Sequence, residues 1–282
     1  MRFDTPDLRQ EKTPEQLEQE LNLVRYKRAL SRRTFLERVG LGAITVVGAS
    51  ALNSCLSSSS IAAVVPQSDV LNFALNLEYL EAEFYQIAVT GSRLGASDTG
   101  TATGATTGGS KVTFSDAALS NIAAEIAADE LDHVRFLRSA LGSAAVAKPA
   151  INLDALGIGF ANDASFLQLA RAFEDTGVSA YAGAATLLSG DNLQAAAQIL
   201  AIEAYHAGNI RLQVIQKSIT SPPVDSNDVP PSTSAYFTTL PNGLAVKRTT
   251  SQVLAIVYAN SAAGTSSGGF FPQGLNGNVK TV

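Results

Sequence analysis

The sequence predicts an all-α protein built on a four-helix bundle, and two observations carry this prediction. The chain has only two histidines, and each stands three residues after a glutamate, as Glu130-Leu-Asp-His133 and Glu203-Ala-Tyr-His206. Each pair is set into a run of apolar residues with helical spacing, and two further runs of this kind each contain a glutamate. The sequence thus predicts four helices that each turn a carboxylate toward a shared interior.

The first predicted helix covers residues 69–89. Its inward face is predicted to consist of Leu71, Leu75, Glu78, Tyr85 and Ala88. Glu81 lies near the same face and is the alternative inward carboxylate. Glu78 is preferred because the tyrosine seven residues after it has a counterpart in the third helix.

The third predicted helix covers residues 165–189 and repeats this design with Glu174 and Tyr181. The order Glu…Tyr, Glu-x-x-His therefore occurs twice, which indicates an internal repeat of a helix pair. Two interpretations of Tyr85 and Tyr181 stay open. They are core aromatics whose hydroxyls find a partner, or they donate hydrogen bonds to ligand carboxylates.

The second and fourth predicted helices carry the two Glu-x-x-His pairs. Positions i and i+3 of a helix face the same way, so each pair can aim a carboxylate and an imidazole at one point. A solvated pair would lie on the polar face, but both pairs continue apolar stripes. The stripes are Ile122, Ile126, Glu130, His133, Leu137 and Leu141 in one helix, and Ile199/Leu200, Glu203, His206, Ile210 and Val214 in the other.

Polar side chains on buried faces cost several kcal/mol each when they have no partner. A shared metal removes that cost, and four carboxylates with two imidazoles from four helices form the ligand set of di-iron and di-manganese bundle proteins. We therefore expect two iron or two manganese ions. The candidate ligands are Glu78, Glu130, His133, Glu174, Glu203 and His206.

The chain resembles the ferritin-like family, and more closely its branch of desiccation-related, Tat-exported bacterial proteins. The resemblance rests on LNFALNLEYLEAEFY, AADELDHVRFLRSALG, FEDTGVSAYAGAA, AIEAYHAGNIR and the tail motif GGFFPQGLNG. It implies an antiparallel bundle with a long crossover between its second and third helices, and a dinuclear metal centre. It does not imply one activity, because such relatives include iron stores, peroxide-consuming proteins, manganese catalases and oxygenases.

An export signal is predicted near the start of the chain. The segment 31–36, Ser-Arg-Arg-Thr-Phe-Leu, contains Arg32 and Arg33 and resembles the signal read by the twin-arginine (Tat) export machinery. The uncharged run 39–52 that follows is short for a membrane span, which needs about 20 residues. The alternative is a basic helix end beside a buried helix.

Cys55, the one cysteine of the chain, follows Leu-Asn-Ser and resembles a lipoprotein processing site. The rival is ordinary cleavage after Ala51. Either outcome predicts a periplasmic or extracytoplasmic protein, which would touch the membrane only through its signal or a lipid anchor on Cys55.

The balance of charged residues argues against one class of function. Residues 1–54 hold nine basic and seven acidic residues, which leaves 11 basic and 18 acidic residues from position 55 on. This acidic balance argues against nucleic-acid binding. A homo-oligomer is left open.

Within the bundle, the sequence predicts a polar loop over 91–112 and a crossover over 144–164. After the bundle, it predicts a short helix over 252–260 and docking of Phe270 and Phe271 on the bundle. The whole chain is expected to form four regions. The regions are an N-terminal extension with the signal segment (1–54), a flexible tether (55–68), the four-helix bundle (69–218) and a Pro/Ser/Thr-rich extension packed on the bundle (219–282).

The sequence is compatible with three functions. The first is an active dinuclear protein that uses iron with dioxygen or peroxide, or manganese to dismutate peroxide. The second is a metal store or buffer. The third is a structural, desiccation- or stress-protective bundle with a vestigial site. The presence of all six candidate ligands weighs against the third, and whether the protein is an enzyme stays undecided.

Overall fold

Four long helices form the centre of the protein in a computed structural model that describes residues 65–282. The predicted signal arginines Arg32 and Arg33, the lipidation candidate Cys55 and most of the predicted tether lie outside the described residues. The helices are α1 (Gln67–Thr90), α2 (Ala117–Leu141), α3 (Asp163–Ala184) and α4 (Gly190–Gln216). The predicted all-α fold class is confirmed.

Helix α1 runs antiparallel to both α2 and α3. Asn72, near the start of α1, donates a hydrogen bond to the Ala144 carbonyl, just beyond the end of α2. Tyr79, later in α1, contacts Arg138, which precedes Ala144 in the sequence. The tyrosines of α1 and α3 show the same reversal, because Tyr85 bonds to Glu174 while Tyr181 bonds to Glu78. Helices α2 and α3 are therefore parallel, so the segment 142–162 between them must return along the bundle.

Local capping explains where the second and third helices begin. Asp116 accepts a hydrogen bond from the Leu119 amide at 2.8 Å, which satisfies one of the free N–H groups at the start of α2. At the start of α3, Asn162 and Ser165 form a reciprocal capping box. Helix α1 ends at Thr90, and the next residue, Gly91, has a φ of 78°, which suits a residue without a side chain.

Helix α1 is buried on all sides, although its sequence predicts one inward face. Eighteen of its 24 residues are buried. The outer side is covered by the end of the chain: Asn76 donates a hydrogen bond to the Asn276 carbonyl at 2.8 Å and accepts one from the Asn276 amide at 3.0 Å. The tail motif thus acts as a cover for the central helix.

The predicted polar loop between α1 and α2 has more structure than expected. It contains a one-turn helix, Ala96–Thr99, and a two-residue strand β1 (Thr106–Thr107), which pairs in parallel with β2 (Ile151–Asn152) of the crossover. The buried Lys148 holds these segments together. Its ammonium donates to the Gly104 carbonyl and the Thr106 hydroxyl, both at 2.7 Å, and lies 3.5 Å from Glu83 of α1.

Two buried arginines attach the C-terminal extension to the bundle. Arg171 of α3 donates to the Ser221 hydroxyl at 2.8 Å and contacts Asp228 at 2.5 Å. Arg211 of α4 donates to Asp175 at 2.7 Å and also to three backbone carbonyls of the extension. The extension is consequently fixed by charged groups inside the protein.

The end of the extension packs on the bundle through a short helix and two phenylalanines. The helix α5 (Thr250–Val257) begins two residues earlier than predicted, at a capping box formed by Thr249 and Gln252. Phe270 and Phe271 are both buried, and the ring of Phe270 lies 5.0 Å from that of Phe173. Among residues 65–282, none of the helices is long and apolar enough to cross a membrane.

Candidate metal centre

The four long helices bring the six predicted ligand residues to one place inside the bundle. Each helix contributes one fully buried glutamate, and α2 and α4 each add a histidine one turn further along. The histidine rings stand 6.4 Å apart between centroids. The residues are Glu78 of α1, Glu130 and His133 of α2, Glu174 of α3, and Glu203 and His206 of α4.

The first group of side chains surrounds His133. Its Nδ1 atom lies 3.2 Å from Glu78 Oε2, 3.4 Å from Glu130 Oε2 and 3.6 Å from Glu203 Oε1. One imidazole nitrogen and three carboxylates thus converge from three helices, and their potential donor atoms lie within 4.8 Å of one another.

The second group surrounds His206 and shares one residue with the first. Its Nδ1 atom lies 3.0 Å from Glu130 Oε1 and 3.5 Å from Glu174 Oε2. Glu130 therefore presents one oxygen to each histidine. A carboxylate in this position is suited to bridge two metal ions, and carboxylate and imidazole donors suit both iron and manganese.

Several polar atoms of this cluster have no hydrogen-bond partner among the described residues. His206 Nδ1 and Glu130 Oε1, although close, are not in hydrogen-bonding geometry. Buried polar atoms in folded proteins are almost always paired, because an unpaired one costs about 1–3 kcal/mol. The unpaired atoms are both oxygens of Glu130 and Glu203, Oε2 of Glu174 and Nδ1 of His206. Metal ions would satisfy this set.

Burial and mutual repulsion raise the pKa of several of these carboxyl groups. Burial raises the pKa of Glu130 to about 7, although both histidines oppose the shift. Burial and the surrounding glutamates raise the pKa of Glu203 well above its usual range. Burial alone would raise the pKa of Glu78 as well, but the neighbouring His133, together with hydrogen bonds from Glu130 and Tyr181, more than offsets burial and lowers that pKa.

The two histidines are stabilised as cations in the metal-free protein. Burial disfavours their charge, but Glu78 and Glu130 together raise the pKa of His133 to about 12. Glu130 and Glu174 likewise raise the pKa of His206 to about 11 against the effect of burial. Protons on the imidazoles thus partly substitute for metal charge, and metal binding must displace them.

The two tyrosines bind carboxylates across the bundle. Tyr85 of α1 donates a hydrogen bond to Glu174 of α3, and Tyr181 of α3 donates one to Glu78 of α1. Each tyrosine therefore donates its hydrogen bond to the glutamate in the other half of the repeat. The spacing in the sequence does not indicate this crossed pairing. Burial and the adjacent carboxylates raise the pKa of both phenols, so the hydroxyls keep their protons and act as donors.

His206 also contacts a carboxylate that the sequence did not predict as part of the site, that of Asp129. Asp129 Oδ2 lies 3.1 Å from His206 Nε2, so Asp129 can hold the ring with Nδ1 toward the glutamates. Its position directly before Glu130 was the available signal. The corresponding position in the other half of the repeat is Ile202, so the two histidines have unequal surroundings.

Glu81 lies beside the cluster and belongs to neither of the two groups that could hold a metal ion. Glu81 is buried. Burial raises its pKa well above the usual range, and the negative charges of the neighbouring Glu203, Glu130 and Glu78 add to this effect. Glu78, the preferred ligand, has its Oε2 atom 3.2 Å from His133 Nδ1.

A comparison with known families agrees with this fold. The family model described as a ferritin-like domain matches residues 67–216, from the first residue of α1 to the last of α4. No curated protein matches the chain significantly. Because the matched segment covers more than half of the 282 residues, the chain belongs to the ferritin-like domain family.

Proposed function

We propose that this protein is an exported ferritin-like metalloprotein whose bundle holds two iron or two manganese ions and which acts in metal handling or in peroxide or oxygen chemistry. The observation that carries the proposal is the set of unpaired buried atoms on Glu130, Glu174, Glu203 and His206. Such an arrangement would be costly as a purely structural core.

The side chains have distinct roles in this proposal. Glu130, which faces both histidines, would take part in holding both ions, and Glu78 and Glu174 would be ligands whose orientation is held by Tyr181 and Tyr85. Asp129 orients the ring of His206. When bound, an iron pair would supply redox chemistry with dioxygen or peroxide, and a manganese pair would supply peroxide dismutation.

The metal part is tested by elemental analysis of protein from its native host and of metal-free protein offered Fe(II), Mn(II) and Zn(II). We expect about two iron or manganese ions per chain. The double variant His133→Ala/His206→Ala should lose them, while Glu125→Ala, an exposed carboxylate on α2, should not. Absence of iron and manganese together with no uptake would refute the proposal, and zinc alone would leave the geometry without redox function.

Peroxide assays separate the activities. Loaded protein that converts hydrogen peroxide into water and dioxygen acts as a dismutase, and oxygen release measures this. Peroxide loss without oxygen release, coupled to oxidation of bound iron, indicates iron oxidation and storage. No peroxide or dioxygen consumption by the loaded protein would favour the structural, stress-protective alternative.

Export through the Tat machinery to a periplasmic or extracytoplasmic location is part of the proposal. That route carries folded cargo, which suits a metal site that exists only after four helices have met. Arg32→Lys with Arg33→Lys should trap the precursor inside the cell, and normal export of this variant would contradict the signal. Cys55→Ala should release the product from the membrane if Cys55 is lipidated, and an unchanged distribution would favour cleavage after Ala51.

A further inference from the structure

A cavity of about 530 Å³ lies against the outer side of the bundle, between α1, α3 and the C-terminal extension. Its inner wall includes Leu80 and Glu81 of α1 and Gly177 of α3, and its outer wall includes the segments 222–226 and 255–257. This volume falls in the range of sites that bind small organic molecules, roughly 300–1,000 Å³.

Glu81 brings an unpaired polar group to this cavity. The residue is only 5% exposed, and none of the hydrogen bonds found among residues 65–282 involves its carboxyl group. Its oxygens are not among the fully enclosed unpaired atoms of the described residues, which agrees with their place in the cavity lining. A ligand hydroxyl that enters the cavity can therefore donate a hydrogen bond to Glu81.

Gly177 connects the inner end of the cavity to the candidate metal centre. A Cβ atom at position 177 would lie 2.3 Å from Glu203 Oε2 and 3.3 Å from Glu81 Oε1. Both carboxyl groups therefore lie close to the same bare position on the backbone of α3. A molecule bound against Glu81 would stand next to Glu203.

The chemistry of the walls selects the kind of molecule. Most of the lining is apolar, with Phe173, Ile256 and Phe270 among its larger side chains. The lining includes two carboxyl groups, Glu81 and Asp225, and no lysine, arginine or histidine. Asp225 is already paired with Arg248, through bonds of 2.8 and 2.7 Å. The cavity therefore disfavours anions, and Glu81 is the one of its two carboxyl groups that has no ion-pair partner among residues 65–282. The lining also offers neutral polar groups, on Gln168, Thr176, Ser226, Asn260 and Ser261.

We propose that this cavity binds a small, uncharged, mainly apolar alcohol or phenol whose hydroxyl donates a hydrogen bond to Glu81. This inference deepens the proposed function, because it names a class of molecule that would lie beside the metal centre. That part of it rests on the proposed function. Binding in the cavity itself depends only on the walls and Glu81.

The test measures binding to the full chain of three probes that share one ring system: 1-naphthol, naphthalene and 1-naphthoate. Calorimetry or ligand-observed NMR is carried out on metal-free and metal-loaded protein, with metal content determined in parallel. We expect 1-naphthol to bind at least about tenfold more tightly than the anion 1-naphthoate, and more tightly than naphthalene. Equal binding of the three probes, or no binding of 1-naphthol, would overturn the proposal.

Variants locate the bound probe. Ala172→Phe and Ala255→Phe fill the cavity from opposite walls and should each weaken 1-naphthol binding about tenfold or more. Ala164→Phe, on the exposed start of α3, is the matched control and should bind as the wild type does. Glu81→Leu should abolish the preference for 1-naphthol over naphthalene. Retention of full binding in both filled variants, each folded by circular dichroism, would place the probe elsewhere and refute the site.

The two proposals fail in different ways. Protein that takes up no metal but binds 1-naphthol in the cavity supports this inference and contradicts the dinuclear centre. Protein that holds two ions and does not bind 1-naphthol contradicts this inference alone.

Discussion

The backbone of Gly177 in α3 touches the carboxylate of Glu203 in α4, so closely that any Cβ atom at position 177 would lie 2.3 Å from Oε2. Real non-bonded atoms do not approach this closely, so the fully buried side chain of Glu203 would have to move if position 177 carried a Cβ atom. The position of a candidate ligand thus depends on the absence of a side chain on the neighbouring helix.

Gly177→Ala should therefore disturb the candidate metal centre. The added methyl group must displace the Glu203 carboxylate or move the helices apart, and overpacking of this kind costs about 1–3 kcal/mol. We expect lower metal content and a lower melting temperature. Gly208→Ala on α4 is the control, because its Cβ would meet open space and the substitution should stabilise the helix by about 1 kcal/mol. Equal metal content in the two variants would show that the contact is unimportant.

Tyr85→Phe and Tyr181→Phe should each weaken metal binding by about tenfold. Each substitution removes a hydrogen bond that orients a candidate ligand carboxylate, Glu174 or Glu78, while the ring and its packing remain. Competition with a chelator of known affinity measures the change. Tyr258→Phe serves as the control, since that hydroxyl bonds the Lys280 carbonyl at 3.0 Å, in the C-terminal extension. Wild-type affinity in both variants would assign the tyrosines to the core alone.

Stability of the metal-free protein should fall as pH rises above about 6.5. The pKa of His133, about 12, and that of His206, about 11, lie above the usual value of 6.5. Their contribution to stability is therefore fully present below pH 6.5 and is lost as pH rises toward those values. The slope is about 1.4 kcal/mol per pH unit for each imidazole that stays protonated when folded.

Metal binding should reverse this trend, because it displaces those protons and becomes more favourable as pH rises. Melting temperatures at about pH 7 and pH 9, with and without Mn(II), measure both effects. The metal-induced increase in melting temperature should be larger at pH 9. The His133→Ala/His206→Ala variant should show a flatter pH dependence without metal, and a slope equal to that of the wild type would exclude the histidines as its cause.

Arg211→Ala should lower the free energy of unfolding by about 3–5 kcal/mol. The substitution leaves the buried Asp175 without its 2.7 Å partner and removes donors from the carbonyls of the extension. Denaturant unfolding provides the measurement. Arg135→Ala is matched in chemistry but removes an exposed pair with Asp98, which should change stability by less than about 1 kcal/mol. Similar losses in both variants would argue against the buried attachment.

Much of the fold follows from local chemistry. A helix repeats every 3.6 residues whatever surrounds it, so the apolar spacing around Glu130 and His133 places both on one face before any partner is known. The same holds for Glu203 and His206. Four such stripes within one chain leave few ways to bury them, which is why the all-α bundle could be predicted from the sequence.

The tertiary structure decided which groups meet across helices. The bonds from Tyr85 to Glu174 and from Tyr181 to Glu78 cross between the halves of the repeat, whereas the spacing within each half shows only that a tyrosine follows a glutamate. The contact of Asp129 with His206 likewise joins residues 77 positions apart. Such contacts depend on the antiparallel placement of helices, which local periodicity does not determine.

The sequence by itself determined four amphipathic helices and the inward direction of two Glu-x-x-His pairs, because helix geometry acts over three or four residues. Only the tertiary structure showed that α1 is covered on its outer side, that Gly177 lies against Glu203, and that Glu81 reaches a cavity under the extension. These features arise where segments from distant parts of the chain pack together, and packing depends on their combined shapes.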